Sequence, residues 1–245
     1  MKVKPTTLVA LSELRGRLVR VLLGMLLGMG VLYAFKAEVL DALMLPLTQN
    51  EFAPEQVVFT GVSELFFVYL KICTWGGVFV GMPYLLYQIW RFIAPGLYRH
   101  ERRWVAPLLG AIPVLFYGGG LFAYFVVLPL ALRFFLSFAQ PGVEALPNVR
   151  DYLDMFFNFA FAFGLAFNLP VFLLLLVKVG ILSVDLLRRW RRFAIIAIFI
   201  FAALVTPPDP FSQLFLALPL ILLYEGAIWA AVWMGGPVKG TKGRS

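Results

Sequence analysis

The 245-residue chain has few of the residues on which disulfide-bonded and metal-binding proteins depend. It contains one cysteine, Cys73, and one histidine, His100, and only 14% of its residues are charged. A single cysteine excludes a disulfide within the chain, and the two residues together are too few for a zinc or haem centre. We therefore expect neither a metal nor a cofactor.

Recognisable catalytic motifs are also missing. The sequence has no zinc-protease motif, no serine–histidine–aspartate set, no glycine-rich phosphate loop and no pair of carboxylates placed for acid–base work. Its run of three glycines, 118–120, lies within an apolar segment, where close helix packing explains it better than a nucleotide site. We predict that the protein is not an enzyme.

Apolar residues dominate instead. They make up 62% of the chain and give a mean hydropathy of +0.89, whereas soluble domains are close to half apolar. A transmembrane helix needs roughly 20 mostly apolar residues. The sequence therefore predicts an all-α polytopic membrane protein with six transmembrane helices, organised as one domain over residues 1–245. The predicted spans are 18–35, 65–90, 105–136, 152–179, 193–205 and 211–233.

Prolines and short lengths predict that several spans are bent or incomplete. Because proline removes a backbone donor and bends a helix, we expect the helices to be bent and tilted into a cup-like arrangement. The fifth span has about 13 apolar residues, which cover roughly 20 Å. We therefore expect helices five and six to be short and joined by a recessed turn. The prolines within spans are Pro83, Pro113, Pro129, Pro170 and Pro219.

Positive charge predicts which side of the membrane each loop occupies, since loops rich in lysine and arginine stay in the cytoplasm. Seventeen of the 21 basic residues fall near the two ends of the chain or in the second and fourth connections between spans, and three fall in the other connections. We expect both termini to be cytoplasmic.

Pro46 and other prolines are expected to break any helix in the outer connections. The predicted segments are a cytoplasmic N-terminal motif at 1–17, a first cytoplasmic loop at 91–104, outer caps at 36–63 and 137–151, and a flexible basic tail at 236–245.

Several polar residues fall within or beside the apolar spans. A charged side chain at mid-membrane costs about 2.5 to 3.5 kcal/mol on insertion scales, so each calls for a partner or a function. Glu64 and Lys71 lie seven residues apart on one helical face. Either they form an interior pair, or Lys71 extends to the outer membrane interface. Asn168 either caps carbonyls freed by Pro170 or lines a polar face that a substrate or partner helix touches. The other polar positions are Gln88, Asn158, Gln213 and Glu225.

The segment 91–104, RFIAPGLYRHERRW, holds one carboxylate, Glu101, among several arginines. Two interpretations are open from these residues alone. The carboxylate balances charge in a solvated loop, or it helps to form an acidic site that receives a cation.

Four segments follow one another along the chain as LSELRGRL (11–18), PYLLYQIWRF (83–92), FIAPGLYRHERR (92–103) and TPPDPFSQLFLALPLILLYE (206–225). Together they resemble the TatC family, the integral signal-receptor subunit of the twin-arginine protein translocase. The resemblance extends over nearly the whole chain. It implies a receptor and core subunit that binds twin-arginine signal peptides and exports folded proteins using the proton gradient.

The resemblance also implies a signal-peptide site on the cytoplasmic side. Glu13 and Glu101 match the two glutamates that contact the paired arginines in this family. Carboxylates hold guanidinium groups through charge-assisted, often bidentate hydrogen bonds, so the chemistry is suitable. The matching motif residues around them are Arg15, Arg17, Phe92, Pro95, Leu97, Tyr98 and Arg103.

Partners follow from the resemblance as well. It implies single-span TatA/TatB-type subunits docked along helices five and six, self-association in the receptor complex, a lipid bilayer and no nucleic acid. Gln213 matches the helix-six glutamine of the subunit contact, and crosslinks to a single-span protein are expected from Val205 or Leu216. The remaining intramembrane or partner-facing positions are Asn168, Gln88 and Asp209.

The chain departs from the family pattern at two positions. Ala10 stands where the N-terminal motif usually has histidine, and Asn168 stands where helix four usually has glutamate. Two other hypotheses about the function therefore remain open. One is a small-solute or ion transporter that uses Glu64, Lys71 and Asn168, against which the lack of matching halves argues. The other is a purely structural scaffold.

Overall fold

The computed structural model describes residues 5–48, 61, 63–93, 99–137, 148–178, 180–206 and 210–234. The elements in these ranges are all helices, which confirms the all-α class for this part of the chain. They are α1 (Pro5–Ala34), α2 (Lys36–Thr48), α3 (Glu64–Ile93), α4 (Arg99–Phe122), a π-helical segment (Ala123–Val127), α5 (Leu128–Leu136), α6 (Val149–Ala166), α7 (Leu169–Lys178), α8 (Val184–Arg189), α9 (Arg191–Val205) and α10 (Pro210–Trp233).

Several of these helices are long and apolar enough to cross a membrane, which confirms a multi-pass protein. The described residues contain four such spans, and a fifth if the bent pair α1–α2 counts as one. The axis turns by 85° within that pair. The count of six stays a prediction. The four spans are Glu64–Leu85, Gly110–Leu136, Val149–Lys178 and Pro210–Trp233.

The last two helices differ in length. α9 has 15 residues, so it covers roughly 22 Å at 1.5 Å per residue, and it is as short as predicted. α10 has 24 residues and covers roughly 36 Å. The bounds of α10 agree with the predicted span 211–233, but a helix of this length is long enough to cross a membrane and is not short.

The chain divides into two compact units. The first consists of Met1–Met44 with Phe59–Tyr98, and the second of Leu45–Val58 with Arg99–Ser245. In the first unit α1 packs along α3. In the second, α4 packs on α6, while α10 packs on α7, α8 and α9. The single domain and the cup-like arrangement stay predictions.

Close approach of α1 and α3 depends on glycine. A Cβ atom on Gly77 would lie 3.0 Å from the backbone nitrogen of Met29 and 3.1 Å from the carbonyl oxygen of Met25. A Cβ atom on Gly28 would lie 3.7 Å from the Cα atom of Gly77. Because lipid tails are as apolar as leucine, helices in membranes associate through such close contacts rather than through hydrophobic burial.

A second glycine contact joins α4 to α6. A Cβ atom on Gly119 would overlap the carbonyl group of Phe163 and lie 2.9 Å from the backbone nitrogen of Gly164. Gly118 is different, because a Cβ atom there would meet nothing within 4 Å. The packing interpretation of the glycine run is confirmed at Gly119.

Two spans of the second unit are interrupted where proline removes a backbone donor. The π-helical segment ends two residues before Pro129, and α6 is separated from α7 at residues 167–168, just before Pro170. Proline disfavours the helical conformation of the residue before it. The fourth span then ends at a turn in which Gly180 has a φ of 79°, a value suited to glycine.

Two predicted loops are more helical than expected. α3 continues to Ile93 and α4 begins at Arg99, so only residues 94–98 of the predicted loop 91–104 separate them. α2 continues through Pro46 to Thr48, so the prediction that Pro46 ends the helix is wrong. The helix extends only two residues beyond the proline, so few backbone bonds depend on continuing past it. The tail 236–245 and much of both outer caps lie outside the described residues.

The glycine contact between α4 and α6 gives a matched pair of variants. Gly119→Ala should destabilise the purified protein by about 1–3 kcal/mol, because the new methyl group must displace the backbone of α6. Gly118→Ala should be neutral or slightly stabilising, since alanine favours helix and meets no neighbour. Thermal unfolding of both variants in detergent checks this. Equal thermal unfolding midpoints for the two variants would mean that α4 and α6 do not contact each other at Gly119.

Candidate functional site

The described part of the N-terminal motif lies in the N-terminal half of a long helix. α1 begins at Pro5, and Glu13, Arg15 and Arg17 precede its apolar part. Glu13 and Arg17 are four residues apart and therefore share one face of the helix. The side chain of Arg15 is exposed, whereas those of Glu13 and Arg17 lie outside the described residues.

Glu101 lies at the start of a helix. Since α4 begins at Arg99, Glu101 falls in its first turn, where the helix macrodipole stabilises a negative charge. Phe92 lies in the last turn of α3. The side chains of Phe92, Glu101 and Arg103 lie outside the described residues, as do Pro95, Leu97 and Tyr98 entirely. Glu13, in the third turn of α1, thus belongs to the first unit, and Glu101, in the first turn of α4, belongs to the second.

Asn168 caps the break in the fourth span. Its Nδ2 donates a hydrogen bond to the carbonyl oxygen of Gly164 at 2.8 Å, while its backbone N–H donates to Leu165 at 3.0 Å. The carbonyl of Gly164 therefore has a donor, although the backbone N–H of Asn168 bonds to Leu165 instead of to Gly164. Asn168 thus caps the end of α6, but the carbonyl that Pro170 itself deprives of a donor is that of Ala166, four residues before it. The Oδ1 atom of Asn168 is buried without a hydrogen bond among the described residues.

Gln213 connects the last two helices, α9 and α10. Its Nε2 donates a hydrogen bond to the carbonyl oxygen of Phe199 at 2.9 Å, which ties α10 to α9. Nearby, the Oγ1 of Thr206 donates to the carbonyl oxygen of Ala202 at 2.8 Å and closes the end of α9. Asp209, which follows this turn, lies outside the described residues.

Polar residues of α3 also have structural partners. Glu64 begins the helix, where its Oε2 accepts a hydrogen bond from the backbone N–H of Gly61 at 3.1 Å, and its own N–H donates to the carbonyl of Gly61 at 3.1 Å. Reciprocal bonds of this kind fix a helix N-terminus. Gln88, only 5% exposed, donates from Nε2 to the hydroxyl of Tyr84 at 2.7 Å. Glu64 and Asn168, which the transporter hypothesis uses, thus both serve helix ends.

The expected accessibility of Leu216 is wrong. Leu216 is 0% exposed, because it packs inside the second unit. Val205 is half-buried, and its neighbour Leu204 is 81% exposed. The exposed side chains of α10 lie on another face and include Phe211, Leu214, Leu218 and Leu222.

Sequence reasoning missed an ion pair that joins α9 to α10. Nη2 of Arg191 lies 2.8 Å from Oε2 of Glu225, and both side chains are partly exposed. Beside it, the hydroxyl of Tyr224 donates to the carbonyl of Leu187 at 2.9 Å. The only sign of this pair in the sequence is that the last span carries a carboxylate, Glu225, toward its end and that the connection before the fifth span is rich in arginine.

Comparisons with a family model and with individual relatives identify the same family. The family model described as Sec-independent protein translocase protein (TatC) matches residues 10–219. The TatC protein of Magnetococcus marinus is 42% identical over 219 residues, with 89% of this chain and 81% of the relative covered. That of Escherichia coli K12 is 37% identical over 226 residues, with 92% and 88% covered.

A solved structure is also similar to this chain. A crystal structure of the twin-arginine translocase receptor TatC in DDM matches with a TM-score of 0.81 and 36% identity, covering 94% of this chain and all of the other. The family match over most of the chain, the relatives and the shared fold agree. The chain belongs to the TatC family of Sec-independent protein translocase proteins.

Proposed function

We propose that this protein is the receptor and core subunit of a twin-arginine translocase in a bacterial inner membrane, with both termini in the cytoplasm. It binds the paired arginines of a signal peptide through Glu13 and Glu101 and exports folded cargo using the proton gradient. The observation that carries the proposal is that both glutamates lie on helical segments just before apolar stretches, Glu13 in the third turn of α1 and Glu101 in the first turn of α4. The similar solved structure, that of a twin-arginine translocase receptor, supports assigning a receptor role to this chain.

Physical chemistry supports these two residues as the site. Paired guanidinium groups need planar, negatively charged acceptors, and two carboxylates can each hold one of them through two hydrogen bonds. The other polar residues discussed above already serve the fold, since Asn168, Gln213 and Glu64 bond to backbone groups. Arg15, Arg17 and Arg103 surround the glutamates in sequence and would pair with them until the signal peptide arrives.

We also propose that single-span TatA/TatB-type subunits dock along α9 and α10 and that receptor copies associate. α9 is too short to cross about 30 Å of hydrocarbon alone, and such mismatch favours association with other helices. Exposed apolar side chains are available on both helices. Gln213 and Val205 lie at the end of this pair where α9 stops, and Asn168 belongs to the neighbouring fourth span.

Removal of either glutamate tests the signal-peptide site. Glu13→Gln and Glu101→Gln should each weaken binding of a twin-arginine peptide by at least about tenfold, since a hydrogen bond to a charged group contributes roughly 1.5–3 kcal/mol. Fluorescence anisotropy of a labelled peptide with the purified protein measures this. The same peptide with two lysines should bind more weakly to the wild type, because lysine cannot make the paired bonds.

Asp185→Asn is the matched control, because Asp185 is also a carboxylate in the first turn of a helix, α8. It should leave peptide affinity unchanged. Unaltered affinity in both glutamate variants, or an equal loss in the control, would reject the assignment of Glu13 and Glu101.

Photo-crosslinking tests the docking of a single-span subunit. A crosslinker placed at Leu204, which is 81% exposed, should capture a single-span partner in native membranes, whereas one at Leu216, which is 0% exposed, should not. Capture from neither position, with both variants present at wild-type levels, would contradict docking on α9 and α10.

A further inference from the structure

A small cavity opens where α8 and α9 meet the end of α10. It has a volume of about 300 Å³ and is lined by Arg188, Arg191, Ile228, Trp229 and Val232. Two guanidinium groups therefore share a cavity with three apolar side chains. Ligand sites in proteins commonly begin at this size and combine apolar walls with a few polar groups.

The charge around the cavity favours an anion. Arg188 is exposed, and it forms no ion pair with another described residue. Arg191 holds Glu225 through Nη2 at 2.8 Å, but a guanidinium has five N–H donors, so the same side chain can bind a second acceptor. Arg189 and Arg192 add positive charge to the same segment, against the carboxylates Asp185 and Glu225.

The apolar walls indicate where that anion comes from. Trp229 is 75% exposed, and large aromatic side chains of this kind concentrate at the level of lipid headgroups. Trp190 and Trp233 are also exposed near the same helix ends. A soluble anion would gain nothing from Ile228, Trp229 and Val232, whereas a phospholipid can place its phosphate on the arginines and its first methylene groups against these walls.

We infer that this cavity is a binding site for an acidic phospholipid, whose phosphate is held by Arg188 and Arg191 and whose acyl chains lie along Ile228, Trp229 and Val232. Basic cavities at the ends of transmembrane helices on the cytoplasmic side are suited to anionic headgroups. The predicted topology places this one in the cytoplasmic leaflet. The inference does not depend on signal-peptide binding, because it uses neither Glu13 nor Glu101.

Lipid binding to the purified full-length protein in a neutral detergent tests the inference. Phosphatidylglycerol and phosphatidylcholine with the same acyl chains are added separately, and bound lipid is counted by native mass spectrometry. The wild type should bind phosphatidylglycerol at least about tenfold more tightly. The double variant Arg188→Gln/Arg191→Gln should lose about thirtyfold, since each arginine in direct contact with the lipid phosphate contributes roughly fivefold.

Arg189→Gln/Arg192→Gln is the matched control. It removes the same charge from the same segment, but neither side chain lines the cavity, so the affinity for phosphatidylglycerol should fall by less than about threefold. Glu225→Gln keeps both arginines and removes the competing carboxylate, so it should strengthen binding. Thermal unfolding without lipid verifies that each variant is folded.

Three results of the lipid-binding measurements would overturn the inference. One is equal affinity for the two lipids, and another is an equal loss in the two double variants. The third is displacement of phosphatidylglycerol by inorganic phosphate added at the same concentration as the lipid, which would mean that the site binds a soluble anion. A photo-crosslinker in place of Trp229 should capture phospholipid in native membranes, and capture of a protein segment in its place would also contradict the assignment.

Discussion

The structure depends on giving every backbone carbonyl a hydrogen-bond donor where no water is available. Proline and helix ends remove the regular donors inside the membrane, and an unpaired carbonyl there costs several kcal/mol. In the second unit, side chains from the same or a neighbouring helix donate additional hydrogen bonds to backbone carbonyls. These bonds run from Asn168 to Gly164, Gln213 to Phe199, Thr206 to Ala202, Tyr224 to Leu187 and Lys178 to Met234.

This requirement separates the residues that hold the fold from those available for recognition. The side chains of Asn168, Gln213 and Thr206 are engaged with backbone groups. Gly77 and Gly119 let the helices come close enough for dispersion contacts to add up. Two carboxylates, Glu13 in the third turn of α1 and Glu101 in the first turn of α4, precede the most apolar stretches of these helices. The polar groups that hold the helices are thus different residues from the two carboxylates proposed to bind the signal peptide.

Sequence predicted the features that depend on near neighbours in the chain. The break before Pro170 and its cap by Asn168 involve residues within six positions of each other, and Gly119 lies in a run that predicts close packing. The ion pair of Arg191 with Glu225 joins residues 34 positions apart, so only the packing of α10 on α9 reveals it. Leu216 was misplaced because α10 is apolar on all sides. In lipid, buried and exposed faces are equally hydrophobic, so periodicity does not tell them apart.

The central claim is that a twin-arginine signal is recognised by the carboxylates and not by the membrane surface. The most direct measurement is photo-crosslinking from Tyr98, between Phe92 and Glu101 in sequence, to a signal peptide in native membranes. The account predicts a crosslink to the peptide with paired arginines that is lost when both arginines become alanine and when Glu13 and Glu101 are both glutamine. Equal crosslinking in all three cases, or none with the arginine peptide, would contradict it.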